Sequence, residues 1–237
     1  MINVKALVIA AISIIASLAF LVFFTASWEI VGWLGLWVYV GVMIVIFGSW
    51  ILLISRFGIE KDSLKTIDFA MIAMFVALIK VVDYGSMFVP GLTFVWFAVP
   101  QVAGPILFYF PLGIVVAAAL KLSPKPGSAF VLWVVSAIIS QVFFFNPVWF
   151  ARGIVAALCI EAYYISSKRG TMSSLVLMGL MFGIMYSCAA TIFQIYSWGL
   201  WKPLFMTFPT VILAGIMMSV GSFLGFALGD RAKTVMY

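Results

Sequence analysis

The sequence predicts an all-α, polytopic transmembrane helix bundle of about eight spans, on three observations. Hydrophobic residues make up 66% of the chain and charged residues 8%, with a mean hydropathy of +1.28, a composition that no water-soluble globule accommodates. The 237 residues divide into about eight apolar runs of ~20 residues, each long enough to cross a bilayer core, which leaves no length for a soluble domain. The basic residues sort by side: with the runs at 6–26, 31–55, 66–83, 93–120, 128–146, 150–167, 172–194 and 206–229, ten of the thirteen Lys and Arg fall on the face that carries both termini. The positive-inside rule makes that face cytoplasmic, so the expectation is a multi-pass cell-membrane protein with both termini inside. The net charge of +6 is an orientation signal, not the mark of a nucleic-acid partner.

The first run follows Lys5 and is longer than the ~7–15 apolar residues of a signal-peptide core, so it reads as an uncleaved helix. A turn at Ser27-Trp28-Glu29-Ile30 pairs it with the second run, and Trp28, Trp33 and Trp37 form an interfacial aromatic belt. The polar stretch Arg56–Thr66 then separates an N-terminal hairpin, residues 1–57, from a six-helix membrane domain, residues 66–230. Thr66 or Ser63 suits the cap of the third span, and Asp68 in its first turn suits the positive end of the helix dipole. Ala70, Ala73 and Ala77 share one face of this helix. Small residues at such spacing admit close approach of another helix, from this chain or another. Gly179 and Gly183 in the seventh span, and Gly221, Gly225 and Gly229 in the eighth, form similar ridges.

Asp83–Gly91, with its glycines and proline, reads as an outer loop and a candidate lid, and Lys80 with Asp83 as a local ion pair three residues apart. The fourth span carries Pro100, Pro105 and Pro111; each removes a backbone hydrogen bond and breaks the helical ladder, which is tolerated at membrane depth beside a cavity. Gln101 lies in that broken region. Gln141, Asn146 and Trp149 end the fifth span and enter the sixth, which holds Arg152 and Glu161. Glu161 stands in Val155-Ala-Ala-Leu-Cys-Ile-Glu-Ala-Tyr-Tyr-Ile165, where an acidic side chain costs roughly 2.5–3.5 kcal/mol to insert and so faces protein or a cavity. Nine residues, about 13.5 Å of helix, separate it from Arg152, so it needs a partner from another helix, a proton or a ligand, with Gln101, Tyr109, Gln141, Tyr186 and Gln194 as candidates on neighbouring spans. It is either a ligand contact or buried interhelical glue.

The chain has no histidine, which removes the usual haem ligand, ordinary zinc and copper sites and the commonest general base. Cys159 and Cys188 lie inside spans and form no CxxC pair; neither a disulfide, a metal nor a cofactor is expected. Asp83 and Asp230 end opposite sides of the bilayer and cannot form an aspartyl protease dyad. Without a phosphate-binding loop the chain cradles no nucleotide. The expectation is a non-enzyme.

The alanine stripe, the turn Lys125-Pro-Gly-Ser-Ala129 and the segment Gly153-Ile-Val-Ala-Ala-Leu-Cys-Ile-Glu-Ala-Tyr163 make residues 66–230 resemble the substrate-binding S component of energy-coupling factor (ECF) transporters, in the group linked to thiamine or its hydroxymethylpyrimidine precursor. The N-terminal hairpin departs from the six-helix pattern of that family. The resemblance implies a membrane-embedded vitamin-capture subunit energised by separate ATPase subunits, with Ala70, Ala73 and Ala77 contacting a transmembrane coupling subunit. It implies a substrate site toward the outside, where Glu161 meets an aminopyrimidine-like or cationic group and Trp96 and Trp149 stack on a flat ring; Gln101 in the broken span, and Gln141, Asn146 and Arg152, which the topology brings to the outer side, are the further substrate-binding candidates. The alternative from another class is a structural or accessory subunit of a larger membrane complex; a third reading is a small ion-coupled carrier.

Overall fold

A computed structural model of the chain describes residues 3–56, 64–88, 100–143, 145–199 and 203–236. Among these residues the backbone makes eight helical passes. The helical segment Val4–Arg56 breaks at Gly32, giving α1 (Val4–Ser27) and α2 (Gly32–Ser55). They double back, with the rings of Phe20 and Tyr39 5.3 Å apart. The reversal expected at Ser27–Ile30 is thus displaced to Gly32, whose φ of 48° and ψ of −145° lie in a region essentially reserved for glycine.

The passes that follow are α3 (Thr66–Phe88), the broken pass of α4 (Pro100–Gly104), a π-helical turn (Pro105–Tyr109) and α5 (Phe110–Leu122), then α6 (Ser128–Phe143), α7 (Pro147–Ser166), α8 (Met172–Trp198) and α9 (Leu204–Met236). The helix α3 begins where the sequence placed it but continues past Asp83 to Phe88, so the first two thirds of the expected outer loop are helical; residues 89–91 lie outside the described residues. At the start of α3 Thr66 makes no capping hydrogen bond, and Ser63 lies outside the described residues. Asp68 reaches back to accept the Lys65 N–H at 2.7 Å, half of a capping box.

The proline-rich pass breaks as expected. Pro105 and Pro111 have no N–H to give, and between them the ladder widens to a π turn, a local distortion frequent at functional sites. The distortion carries Tyr109 into the core.

Glycine ridges set the centre of the bundle. The helix α9 packs on both α5 and α8; a Cβ at Gly221 or Gly225 would strike the carbonyl oxygens of Phe110 or Ile114, and one at Gly183 would lie 2.7 Å from that of Ala214. These ridges are therefore contacts within the chain, where close packing replaces the hydrophobic driving force that lipid does not provide. The hairpin lies against α7 and α8. Trp50 Nε1 donates to Ser166 Oγ at 2.8 Å, Tyr196 OH donates to the Phe24 carbonyl at 3.1 Å, and Cys159 Sγ meets Ser13 Oγ at 3.7 Å.

Five helices among the described residues are long and apolar enough to span a membrane: Val4–Ser27, Gly32–Ser55, Val102–Leu122, Met172–Tyr196 and Leu204–Thr234. The chain is built as a multi-pass membrane protein. The three remaining passes, α3, α6 and α7, hold Lys80 and Asp83, Ser140 and Gln141, and Arg152 and Glu161 respectively. The polar interior is concentrated on the helices least able to stand alone in lipid.

Candidate functional site

Glu161 lies in α7 at the end of the bundle that carries Lys121, Lys125 and Asp230. Its Oε1 accepts the Gly127 N–H at 2.7 Å and its Oε2 the Phe130 N–H at 3.0 Å. These belong to the orphan donors at the start of α6, where the helix dipole also favours an anion. Gly127 takes φ +86°, a left-handed conformation open to glycine, and so turns the chain into the helix. None of Tyr109, Gln141, Tyr186 and Gln194 supplies a hydrogen bond to the carboxylate; backbone does. The side chain of Gln101 lies outside the described residues. The same end is tied by Asp68, whose Oδ2 receives Lys125 Nζ at 2.8 Å and whose Oδ1 receives Ser123 Oγ at 3.1 Å. Lys121 pairs with Asp230 at 3.0 Å, while Asp83 pairs with Lys80 at the opposite end, so the two aspartates are held apart.

That opposite end gathers a different set of groups. The guanidinium of Arg152, buried near the start of α7, lies 3.8 Å from the ring centre of Tyr186 and 4.6 Å from that of Trp149. Both contacts are cation–π in character. Tyr186 is the hub of an aromatic cluster: Phe182 stacks on it at 5.3 Å, Trp133 packs at 5.3 Å, and Tyr109 meets it edge-on at 6.4 Å. The π turn places Phe108 there too, 6.3 Å from Tyr186. A Cβ on Gly153 would come within 2.5 Å of the Ala137 Cβ, so the glycine beside Arg152 lets α7 approach α6 closely.

Polar groups extend the cluster outward. Gln141 Oε1 accepts the Asn146 N–H at 3.0 Å, and Asn146 Oδ1 accepts the Trp149 N–H at 3.4 Å across the α6–α7 turn. Lys80 Nζ bridges Asp83 Oδ2 and Ser140 Oγ, both at 2.7 Å, joining α3 to α6; the local pair expected from spacing also holds a second helix. Among the described residues, three buried donors at this end have no hydrogen-bond partner, Trp133 Nε1, Gln141 Nε2 and Arg152 Nε, as have the hydroxyls of Ser17, Tyr39, Ser174 and Ser222 elsewhere in the bundle. Buried polar groups are nearly always satisfied, so three such donors in one contiguous cluster mark a place where acceptors are missing.

Of the side chains singled out in the sequence, Gln141, Asn146, Trp149 and Arg152 thus come together, and Glu161 does not join them. Trp96 lies outside the described residues. Ala70, Ala73 and Ala77 all face outward on α3, beside exposed Ile67, Met74 and Leu78. Among the described residues the stripe is therefore not a contact within this chain. Sequence reading missed Trp133, Phe182 and Phe108 as members of the cluster, since an aromatic residue in an apolar span carries no mark separating core from site; the signal that was present is the proline pair that places Phe108 and Tyr109. Among the described residues no group of three or more His, Cys, Asp or Glu side chains converges to hold a metal. The chain matches no protein-family model, no curated protein and no solved structure.

Proposed function

We propose that the chain is the substrate-capture subunit of a small-molecule uptake transporter, set in the cell membrane with both termini cytoplasmic and energised by separate ATPase subunits. The ligand class is a water-soluble vitamin or precursor with a flat ring; thiamine and hydroxymethylpyrimidine are the members the family resemblance suggests. One observation supports this reading above others: the buried cluster of Arg152, Tyr186, Trp133 and Gln141 combines aromatic surfaces with unpartnered donors, as a ligand site of few polar groups among apolar walls does. Arg152, Gln141 and Trp133 bind, Tyr186 and Trp149 hold the arginine, and Glu161 is a positioning residue that anchors the helix bearing Trp133 and Gln141. The outward alanine stripe of α3 is the surface offered to a transmembrane coupling subunit.

The purified chain is to be screened by thermal shift and calorimetry against thiamine, pyrimidine precursors and other water-soluble vitamins. Saturable binding of one of them is expected; no shift and no heat with any would defeat the reading. The exposed alanine stripe equally favours a second reading, an accessory subunit of a larger complex. Copurification of a stable assembly lacking ATPase subunits, together with no ligand binding, would select it.

A further inference from the structure

The proposed capture role leaves the charge of the ligand open, and the cluster itself bears on it. Arg152 is 5% exposed and Trp133 3%, yet among the described residues Arg152 makes no ion pair. Of the acidic groups described at this end, Asp83 is engaged by Lys80 Nζ at 2.7 Å, and Glu29 is exposed at the hairpin turn. Arg152, Lys80 and Asp83 together leave one uncompensated positive charge. A buried charge is ordinarily paired.

The guanidinium carbon of Arg152 lies 3.8 Å from the ring centre of Tyr186 and 4.6 Å from that of Trp149, and among the described residues the buried Nε has no hydrogen-bond partner. A planar fork of donors fits a carboxylate better than any other common group. The rest of the cluster has the same polarity. Gln141 has spent its acceptor oxygen on the Asn146 N–H and keeps its amide donor, and Trp133 has only a donor to give. The two lie eight residues apart on one face of α6, about 12 Å along the axis. Trp133 and Arg152 meet on the same ring, Tyr186. Among the described residues the site thus offers donors and a positive charge with no carboxylate to meet them, and it has aromatic walls.

Resting on the capture role, we infer that the ligand is a planar organic acid, its carboxylate on Arg152 and a ring acceptor toward Trp133 Nε1. A cationic ring such as thiamine is disfavoured. The uncharged pyrimidine precursor is intermediate, because it offers acceptors without satisfying the charge.

The test is a calorimetric titration of the purified full chain with orotate, nicotinate and 4-aminobenzoate as acids, hydroxymethylpyrimidine as the neutral ring and thiamine as the cation. At least one acid is expected to bind most tightly, with the neutral ring weaker by on the order of tenfold and thiamine by on the order of 100-fold, the scale of removing and then opposing one charge interaction. Arg152→Met is expected to erase the preference for acid over neutral ring. Trp133→Phe, which keeps the ring and removes the donor, is expected to weaken binding about tenfold without changing the acid preference. Thiamine or the neutral ring binding more tightly than every acid would overturn the inference and leave the capture role standing. Binding by none of the five, nor by any member of the wider vitamin screen, would overturn both.

Discussion

The carboxylate of Glu161 accepts the backbone N–H of Gly127 at 2.7 Å across 34 positions of sequence, and with Phe130 it holds the first turn of α6. Two of the segments that stand out in the sequence, the Lys125–Ala129 turn and the glutamate of the sixth span, are thus the two halves of one contact. The cost of an acid inside a membrane protein is offset here by donors that every helix start leaves unsatisfied.

Glu161→Gln is expected to destabilise the fold. The amide offers one acceptor where the carboxylate offers two, and its NH2 group faces a backbone donor. A loss of roughly 1–3 kcal/mol is expected, read as a lower apparent Tm in detergent at a fixed scan rate. An unchanged Tm would show that the contact does not support the bundle.

Gly127→Ala tests the other half. At φ +86° an L side chain is strained, and a cost of at least about 1 kcal/mol is expected. Because both changes loosen the same turn, the double variant with Glu161→Gln should lose less than the sum of the two. Strict additivity would contradict a shared anchor.

The glycines divide into those that touch another helix and those that do not. Gly225→Leu should prevent α9 from reaching α5 and leave little monodisperse protein after solubilisation, a loss beyond the 1–3 kcal/mol typical of overpacking. Gly48→Ala, where a Cβ meets nothing within 4 Å, should be recovered at wild-type yield. Equal yields from both, measured by size-exclusion chromatography, would refute the assigned contact.

The N-terminal hairpin is held by side chains as well as by lipid. Trp50→Phe and Ser166→Ala should each cost about 0.5–1.5 kcal/mol, the net worth of one hydrogen bond, and the pair together little more than either alone. If the double variant loses the sum in a thermal scan, the 2.8 Å bond between them contributes nothing.

The all-helical span pattern and the proline-broken pass were readable because bilayer thickness and the missing proline N–H act locally along the chain. The partner of Glu161 was not. Its neighbours in space are backbone groups, which carry no residue identity to search for. The assembly of Gln141, Asn146, Trp149 and Arg152 followed from their shared side of the membrane. Trp133 and Phe182 stayed hidden, because membership in the cluster depends on helix rotation about Tyr186 rather than on depth. The small-residue stripes show the same limit: Ala70, Ala73 and Ala77 look outward while Gly221 and Gly225 look inward, and spacing alone reads identically for both.

The central claim is that the cluster around Arg152 and Tyr186 binds a solute. It is tested most directly by titrating wild-type protein and Arg152→Met, each shown to be folded by an unchanged chromatographic profile, with the planar acids and the neutral pyrimidine in a calorimeter. The account predicts a saturable isotherm for wild type and, for the acids, at least a tenfold loss in Arg152→Met, the scale of one charge-assisted hydrogen bond. Identical isotherms for the two proteins, or no heat from wild type, would contradict it.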